Sequence, residues 1–140
     1  MLICLSIMLC LFQDPPAAGD SAAIQKAVLG YLDGWFDSDP AKMKMALHPN
    51  LVKFRVKTGK PGQAPFLEVM TAEELISVTH INQEWVKGKG HQAPEILFQN
   101  KEIAIVFAQS DGFYDLINLA KIGDDWKIVQ VLWQVGQGKP

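Results

Sequence analysis

AVLGYLDGWFDSDP, residues 27–40, and LHPNL, residues 47–51, decide the fold of this chain. The first stretch continues an apolar pattern with helical spacing, which predicts one face of a long helix: Ile24, Ala27, Val28, Tyr31, Leu32 and Trp35. Asp39 followed by Pro40 predicts the start of a second helix, with the aspartate as its N-cap and the proline in its first turn. That helix must end before His48, because a residue that precedes a proline avoids the helical conformation.

The rest of the chain reads as strands and one more helix. Residues 51–57 alternate apolar and polar side chains, which is typical of a half-buried strand. Thr71 and Glu74 have the spacing of a capping box and begin a third helix that runs to about His80. A meander follows, whose long strands must pair antiparallel because their connections are short, and the first helix covers one of its faces. Its predicted strands are Glu95–Phe98, Glu102–Ser110, Phe113–Ile122 and Trp126–Val135.

An apolar segment without charge, Met1–Phe12, precedes these elements. Its length fits the core of a secretory signal peptide, and small residues at 17–19 offer a cleavage site, although no basic residue precedes the apolar run. We therefore predict a signal peptide and linker over residues 1–19 and a single domain over residues 20–140. The predicted location is secreted or periplasmic, and a cytoplasmic protein is the alternative.

Composition argues against several classes of function. The chain has 140 residues and a formal net charge of −2, and its lysines form no basic stripe, so nucleic acid is not an expected partner. Both cysteines, Cys4 and Cys10, lie in the predicted signal peptide, so the domain offers no disulfide, thiolate nucleophile or cysteine metal site. His80 and His91 lack the spacing of a helical zinc site. We predict no metal and no cofactor.

Five motifs stand out along this order of elements: Tyr31–Trp35, Asp39, Leu47–Pro49, Met70–Leu75 and Trp126–Val129. Together with the order of elements they resemble the nuclear transport factor two-like superfamily, and more closely its lumazine-binding-like bacterial branch. The resemblance covers residues 20–135 and implies an α+β fold in which a cone-like, curved antiparallel sheet is closed by about three N-terminal helices around a pocket. It also implies a homodimer formed through the sheet. Because this superfamily includes isomerases, cyclases, dehydratases and inert adaptors, the fold does not decide the function.

Ketosteroid isomerases of this superfamily place a tyrosine and a neutral carboxylic acid as oxyanion donors, and an aspartate base, around one cavity. Aligned on the first helix and the last hairpin, the tyrosine corresponds to Tyr31, the base to Arg55 and the acid to Asn118. Arginine stays protonated at neutral pH, so Arg55 cannot act as the base. Arg55 can bind an anion and Asn118 can donate a hydrogen bond. We therefore predict a pocket with Tyr31, Arg55 and Asn118 that suits an acidic or polar aromatic ligand.

Three further residues are candidates for the pocket. Tyr114 shares one face of its predicted strand with Asn118, whereas Asp115 lies on the other face, and we predict that the face of Tyr114 lines the pocket. Trp35 ends the apolar face of the first helix, where packing is the alternative role. His48 follows the second helix, where its ring could instead bond the last helical carbonyls.

Two functions remain open at this point. The first is an exported small-molecule-binding or interaction domain of the lumazine-binding type, without chemistry. The alternative is a lyase or isomerase acting on a small polar or aromatic substrate in the same pocket, through Tyr31 and Asn118 with His48 or Asp115. We favour binding because Arg55 occupies the base position. The predicted partners are a small-molecule ligand and a second copy of the chain, with no nucleic acid and, after removal of the signal peptide, no membrane.

Overall fold

The computed structural model describes the backbone of residues 18–136 and the side chains of residues 20–136. Nearly all of the predicted signal peptide and linker therefore lies outside the described residues. None of the helices within residues 18–136 is long and apolar enough to cross a bilayer.

Four helices and six strands make up the described chain, and all six strands belong to one sheet. The strand order is β2-β1-β6-β5-β4-β3. Neighbouring strands are antiparallel except β1 and β6, which run parallel. The predicted α+β class with a curved, cone-like sheet is confirmed, and the sheet stays open, with β2 and β3 as its edges. The elements are α1 Ala18–Phe36, α2 Pro40–Ala46, β1 Leu47–Lys57, β2 Phe66–Thr71, α3 Ala72–His80, α4 Gln83–Val86, β3 Glu95–Gln99, β4 Ile103–Ser110, β5 Phe113–Ile122 and β6 Asp125–Val135.

The core lies between the helices and one face of the sheet, which we call the concave face. Along β4 and β5 every second side chain is buried, as expected for strands that have one covered face. The apolar face of α1 lies against this layer, and its side chains at i, i+4 and i+8 are fully buried. These α1 residues are Ile24, Val28 and Leu32.

The predicted ends of α2 and α3 are confirmed. The Asp39 carboxylate accepts hydrogen bonds from the backbone nitrogens of Ala41 and Lys42, at 2.9 and 3.1 Å. The helix ends at Ala46, before the residue that precedes Pro49. Thr71 caps α3, and the side chain of Glu74 accepts from the Thr71 backbone nitrogen at 2.7 Å, which completes the capping box.

Two details of the chain differ from the prediction. A fourth short helix, α4, follows α3, whereas the sequence predicted three helices. β1 begins at Leu47, so His48 belongs to a strand, and its pairing with β6 is irregular between Leu47 and Val52. Pro49 lies in this interval and has no N–H to donate, which accounts for the interrupted ladder.

Candidate functional site

The concave face carries Asp115 and not Tyr114. Along β5, Phe113, Asp115 and Ile117 are at most 4% exposed beneath the helices, whereas Tyr114 and Asn118 lie on the opposite, convex face. The prediction that the face of Tyr114 lines the pocket is therefore wrong. The physical reason is that Asp115 has hydrogen-bond partners inside the fold, Tyr31 and Lys53, which offset the loss of hydration when its carboxylate is buried.

Three polar side chains from distant elements meet on this face. Tyr31 of α1 donates its hydroxyl proton to Asp115 Oδ2 of β5, with 3.1 Å between the oxygens. Lys53 of β1 lies with its Nζ 3.0 Å from Asp115 Oδ1 and also donates to the Tyr31 hydroxyl oxygen. Their exposures are 2% for Tyr31, 7% for Lys53 and zero for Asp115. The three form a closed network in which each charged or polar group has a partner of this set, and we call it the buried triad.

Burial shifts the ionisation of two members of the buried triad. It raises the pKa of the Tyr31 hydroxyl well above its ordinary value, and the negative charge of Asp115 acts in the same direction. Burial also lowers the pKa of the Lys53 ammonium, and Asp115 opposes this shift without cancelling it. Tyr31 is therefore a proton donor at neutral pH, and Lys53 gives up a proton more readily than an exposed lysine.

Aromatic rings surround the Lys53 ammonium. Its Nζ lies 4.9 Å from the ring centroid of Trp133, 5.1 Å from that of Tyr31 and 5.7 Å from that of Phe113. These distances are within the range of cation–π attraction, which stabilises a desolvated cation. Lys53 is thus held by one carboxylate, one hydroxyl and three rings.

The concave face opens toward the C-terminal end of β1. Side-chain exposure along that strand increases from 8% at Lys53 to 22% at Arg55 and 48% at Lys57. The Arg55 guanidinium carbon lies 4.6 Å from the ring centroid of Trp133. Glu68, opposite Arg55 on β2, accepts from Arg55 Nε and, at 2.8 Å, from Lys57 Nζ. The buried triad therefore lies at the inner end of this face, and Arg55 with Glu68 lies at its solvent-exposed end, which we call the rim.

The two cations on the rim change the ionisation of Glu68. The hydrogen bond from Arg55 is the largest cause, followed by that from Lys57, and together they lower the pKa of Glu68 from 4.5 to about 2. The rim is thus a charged cluster at any pH near neutrality.

Residues 19–134 match the model of a protein family described as Putative lumazine-binding. The chain belongs to this family. The match contains the buried triad, Trp133 and the rim. No curated protein matches the chain.

Several solved structures share the fold of this family member at low sequence identity. An NTF-2 like protein of unknown function from Silicibacter pomeroyi is 14% identical, with a TM-score of 0.69 over 84% of this chain and 97% of its own. An NTF2-like protein of unknown function from Methylobacillus flagellatus is 16% identical, with a TM-score of 0.65 over 86% and 94%. A ketosteroid isomerase-like protein from Erwinia carotovora atroseptica is 17% identical, with a TM-score of 0.58 over 89% and 100%. The predicted resemblance to the nuclear transport factor two-like superfamily is confirmed at the level of fold.

In this family member the structure brings together only part of the predicted site. Tyr31 lies in the buried triad, and Arg55 lies on the same face, joined to it through Trp133. Trp35 packs among aromatic rings, with its centroid 5.8 Å from that of Trp85 and 6.5 Å from that of Phe113. Its buried indole nitrogen has no hydrogen-bond partner within residues 20–136.

Asn118, Tyr114 and His48 lie away from the buried triad. The Asn118 amide donates to Gln130 Oε1 at 2.8 Å on the convex face, and the Tyr114 ring stacks on Phe107 with 6.1 Å between centroids. His48 lies in β1, where its Nδ1 accepts from the Asn50 backbone nitrogen at 3.1 Å, so the prediction that it bonds the last carbonyls of α2 is wrong. Asp115, and not Asn118, approaches the Tyr31 hydroxyl.

Lys53 is the site residue that sequence reasoning missed. In the alternating segment of β1 it occupies the same face as Leu51, which is 1% exposed, so its position along the strand marks it as inward. A lysine on an apolar face needs a buried anion, and Asp115 is the anion among apolar neighbours on β5. The sequence signal for this part of the site was therefore a lysine at an inward position of β1 together with an aspartate among apolar residues of β5.

Two other features complete the description of candidate sites. Within the described residues no three His, Cys, Asp or Glu side chains are placed to hold a metal ion. A groove of about 810 Å³ lies on the outer side of α1, bordered by Lys26, Lys42, Met45 and Trp126. It does not include any member of the buried triad, so we place the candidate site on the concave face.

Proposed function

We propose that this domain binds a small, flat, polar aromatic molecule on the concave face, where Trp133 and Arg55 lie on the solvent side of the buried triad. The proposal rests on the side-chain exposure along β1, which increases from Lys53 to Arg55. The concave face therefore has buried polar groups at its inner end and opens to solvent at the rim. Pockets of this kind combine apolar walls with a few converging polar groups. Here Trp133 and Phe113 supply the walls, and the Lys53 and Tyr31 side chains supply the polar groups.

The description of the family supports a ligand of this shape. A lumazine is a planar heteroaromatic ring system with carbonyl and ring-nitrogen acceptors at its edges, so its face suits stacking on Trp133 and its edge suits a cationic donor. Arg55 is such a donor at the rim, although a ligand must compete there with Glu68. The concave face carries two cations, Lys53 and Arg55, which does not favour the chemistry of a ketosteroid isomerase.

Calorimetric titration with lumazine tests this assignment. We expect Trp133→Leu to weaken binding by about tenfold, because stacking on an aromatic ring contributes about 0.5–1.5 kcal/mol beyond its buried area. Asn118→Ala is the matched control, since its side chain lies on the convex face and its loss should leave the affinity unchanged. Equal losses in both variants would place the ligand elsewhere. If lumazine does not bind and native mass spectrometry of protein from its own host retains no small molecule, the proposal is wrong.

We also propose that two copies associate through the convex face. A row of apolar side chains crosses five strands in register on that face: Val69, Phe54, Leu132, Leu116 and Phe107. Val69, Leu132 and Leu116 in this row are 53%, 46% and 37% exposed. A continuous exposed apolar row is typical of a protein–protein interface, and a second copy supplies a matching row through a two-fold axis.

Light scattering after size exclusion tests the association. The double variant Leu116→Lys/Leu132→Lys should be monomeric, because buried lysines without partners oppose the contact. Ile81→Lys is the control, since Ile81 is 77% exposed beyond the end of α3 and away from the sheet. A wild-type protein that is monomeric at high concentration would disprove the dimer.

We propose export on the basis of Met1–Phe12, whose apolar length fits a signal peptide. The mass of the protein isolated from its own host tests this directly, because removal of residues 1–19 leaves a chain that begins at Asp20. A protein of full length found in the cytoplasm would contradict export.

A further inference from the structure

We propose that Lys53 forms an imine with a ligand that carries an aldehyde or ketone group. The inference rests on the proposed function, because the ligand must reach the concave face. Lys53 then bonds covalently to the ligand, whereas in simple binding it would only donate a hydrogen bond.

The Lys53 amine lies beside a proton acceptor and a proton donor, the two kinds of group that assist imine formation. Among the described lysines Lys53 is the one that is buried. Its Nζ lies between a carboxylate that can accept a proton, Asp115 at 3.0 Å, and a hydroxyl that can donate one, Tyr31.

Burial also makes the amine a better nucleophile. Desolvation by burial lowers the pKa of Lys53, so the neutral amine forms at a lower pH than in an exposed lysine. Desolvation in an apolar pocket is a general way to activate a lysine for attack on a carbonyl carbon. The raised pKa of Tyr31 keeps its hydroxyl protonated and able to donate.

The reaction balances with the groups that are present. Asp115 takes one proton from the Lys53 ammonium, and the amine lone pair forms the C–N bond while Tyr31 protonates the carbonyl oxygen. The nitrogen of this adduct returns a proton to Tyr31 and gives a neutral carbinolamine. Asp115 then protonates the hydroxyl group, the C–O bond breaks, and water leaves as the C=N bond forms. The net change converts Lys53–NH₃⁺ and R₂C=O into Lys53–NH⁺=CR₂ and one water molecule, with no oxidation or reduction.

Reductive trapping tests the inference. The folded protein is incubated at neutral pH with benzaldehyde and cyanoborohydride, which reduces an imine to a stable benzylamine, and peptide mass spectrometry then locates the modified lysines. We expect Lys53 to be modified about tenfold faster than Lys57, which is on the same strand and 48% exposed. The same experiment in concentrated urea is the control, because unfolding should make the two lysines react at similar rates.

Substitution of the proton donor gives a second, independent readout. Tyr31→Phe removes the hydroxyl and keeps the ring, so modification of Lys53 should slow by about tenfold while that of Lys57 stays unchanged. Circular dichroism of the variant verifies that it is folded. Modification of Lys53 that is no faster than that of Lys57 in the folded wild type would overturn the inference.

The lumazine titration separates this inference from the proposed function. Lumazine that binds to a protein whose Lys53 does not react would overturn the imine and leave the binding site in place. Selective modification of Lys53 without lumazine binding would keep the reactive lysine and change the ligand class.

Discussion

The ammonium of Lys53 lies 3.0 Å from the carboxylate of Asp115, and their side chains are 8% and 0% exposed. The two residues are 62 positions apart in the chain. A buried ion pair is weak evidence of stability, because the loss of hydration offsets much of the attraction. Its two members nevertheless depend on each other, since either alone would be an uncompensated buried charge.

Removal of one charge should therefore cost much more stability than removal of both. We expect Lys53→Met to lower the free energy of unfolding by about 3–5 kcal/mol, because the Asp115 carboxylate loses its counterion. Lys53→Met/Asp115→Asn should recover much of this loss, since the amide is neutral and can still accept from Tyr31. Urea denaturation followed by fluorescence measures both. A double variant as unstable as Lys53→Met would show that the attraction between the charges is not the cause.

Two glycines of α1 should respond in opposite ways to alanine. A Cβ on Gly34 would lie 2.8 Å from the backbone nitrogen of Met43 in α2, whereas a Cβ on Gly30 would lie 3.7 Å from Ala46 Cβ. Gly34→Ala should lower stability by about 1–3 kcal/mol, because the two helices must separate. Gly30→Ala makes an ordinary contact and should raise stability by up to about 1 kcal/mol through its helix propensity. Thermal unfolding compares them, and equal effects would contradict the close packing at Gly34.

The capping box of α3 should be measurable on its own. Thr71→Ala removes the side-chain oxygen that accepts from the Glu74 backbone nitrogen at 3.3 Å, and should cost about 1 kcal/mol. Ser77→Ala is the control, since Ser77 is an exposed residue inside the same helix and alanine is a good helix former. Chemical denaturation of both variants should show a loss only for Thr71→Ala.

The rim should make stability depend on pH in the acid range. The folded pKa of Glu68 is lowered from 4.5 to about 2 by Arg55 and Lys57, so its contribution is fully present above pH 4.5. It is lost as the pH falls from 4.5 toward 2, because protonation removes the attraction to the two cations. The difference in melting temperature between wild type and Glu68→Gln should therefore shrink over this interval. The effect should be small because the rim is partly exposed. A difference that stays constant down to pH 2 would disagree with the lowered pKa.

Much of the fold could be predicted because its rules are local. The apolar spacing of α1, the Asp39–Pro40 start of α2 and the Thr71–Glu74 capping box each depend on residues within a few turns of one another. The missed α4, Gln83–Val86, is a single turn, too short to show a periodic pattern. The types of most elements and their order along the chain could be predicted for the same reason.

The site could be predicted only in part because strand periodicity is ambiguous. Alternation along β5 puts Tyr114 and Asn118 on one face of the strand and Phe113 and Asp115 on the other. Both faces also carry apolar residues. Periodicity shows that the two pairs lie on opposite faces, but not which face the helices cover. The presence of Asp115 argued for the wrong choice, because its buried partner Lys53 lies on a different strand.

The sequence by itself determined α1, α2 and α3, most of the strands and the place of Tyr31 on the covered face of α1, because short-range spacing and capping chemistry depend on neighbouring residues. Only the tertiary structure decided that Tyr31 meets Asp115, 84 positions away, and that Lys53 lies between them. These contacts depend on the register of β1, β5 and β6 and on the packing of α1 across the sheet. The side-chain pattern of any single segment carries no information about that register, so the chemistry of the site emerges only when the sheet is assembled.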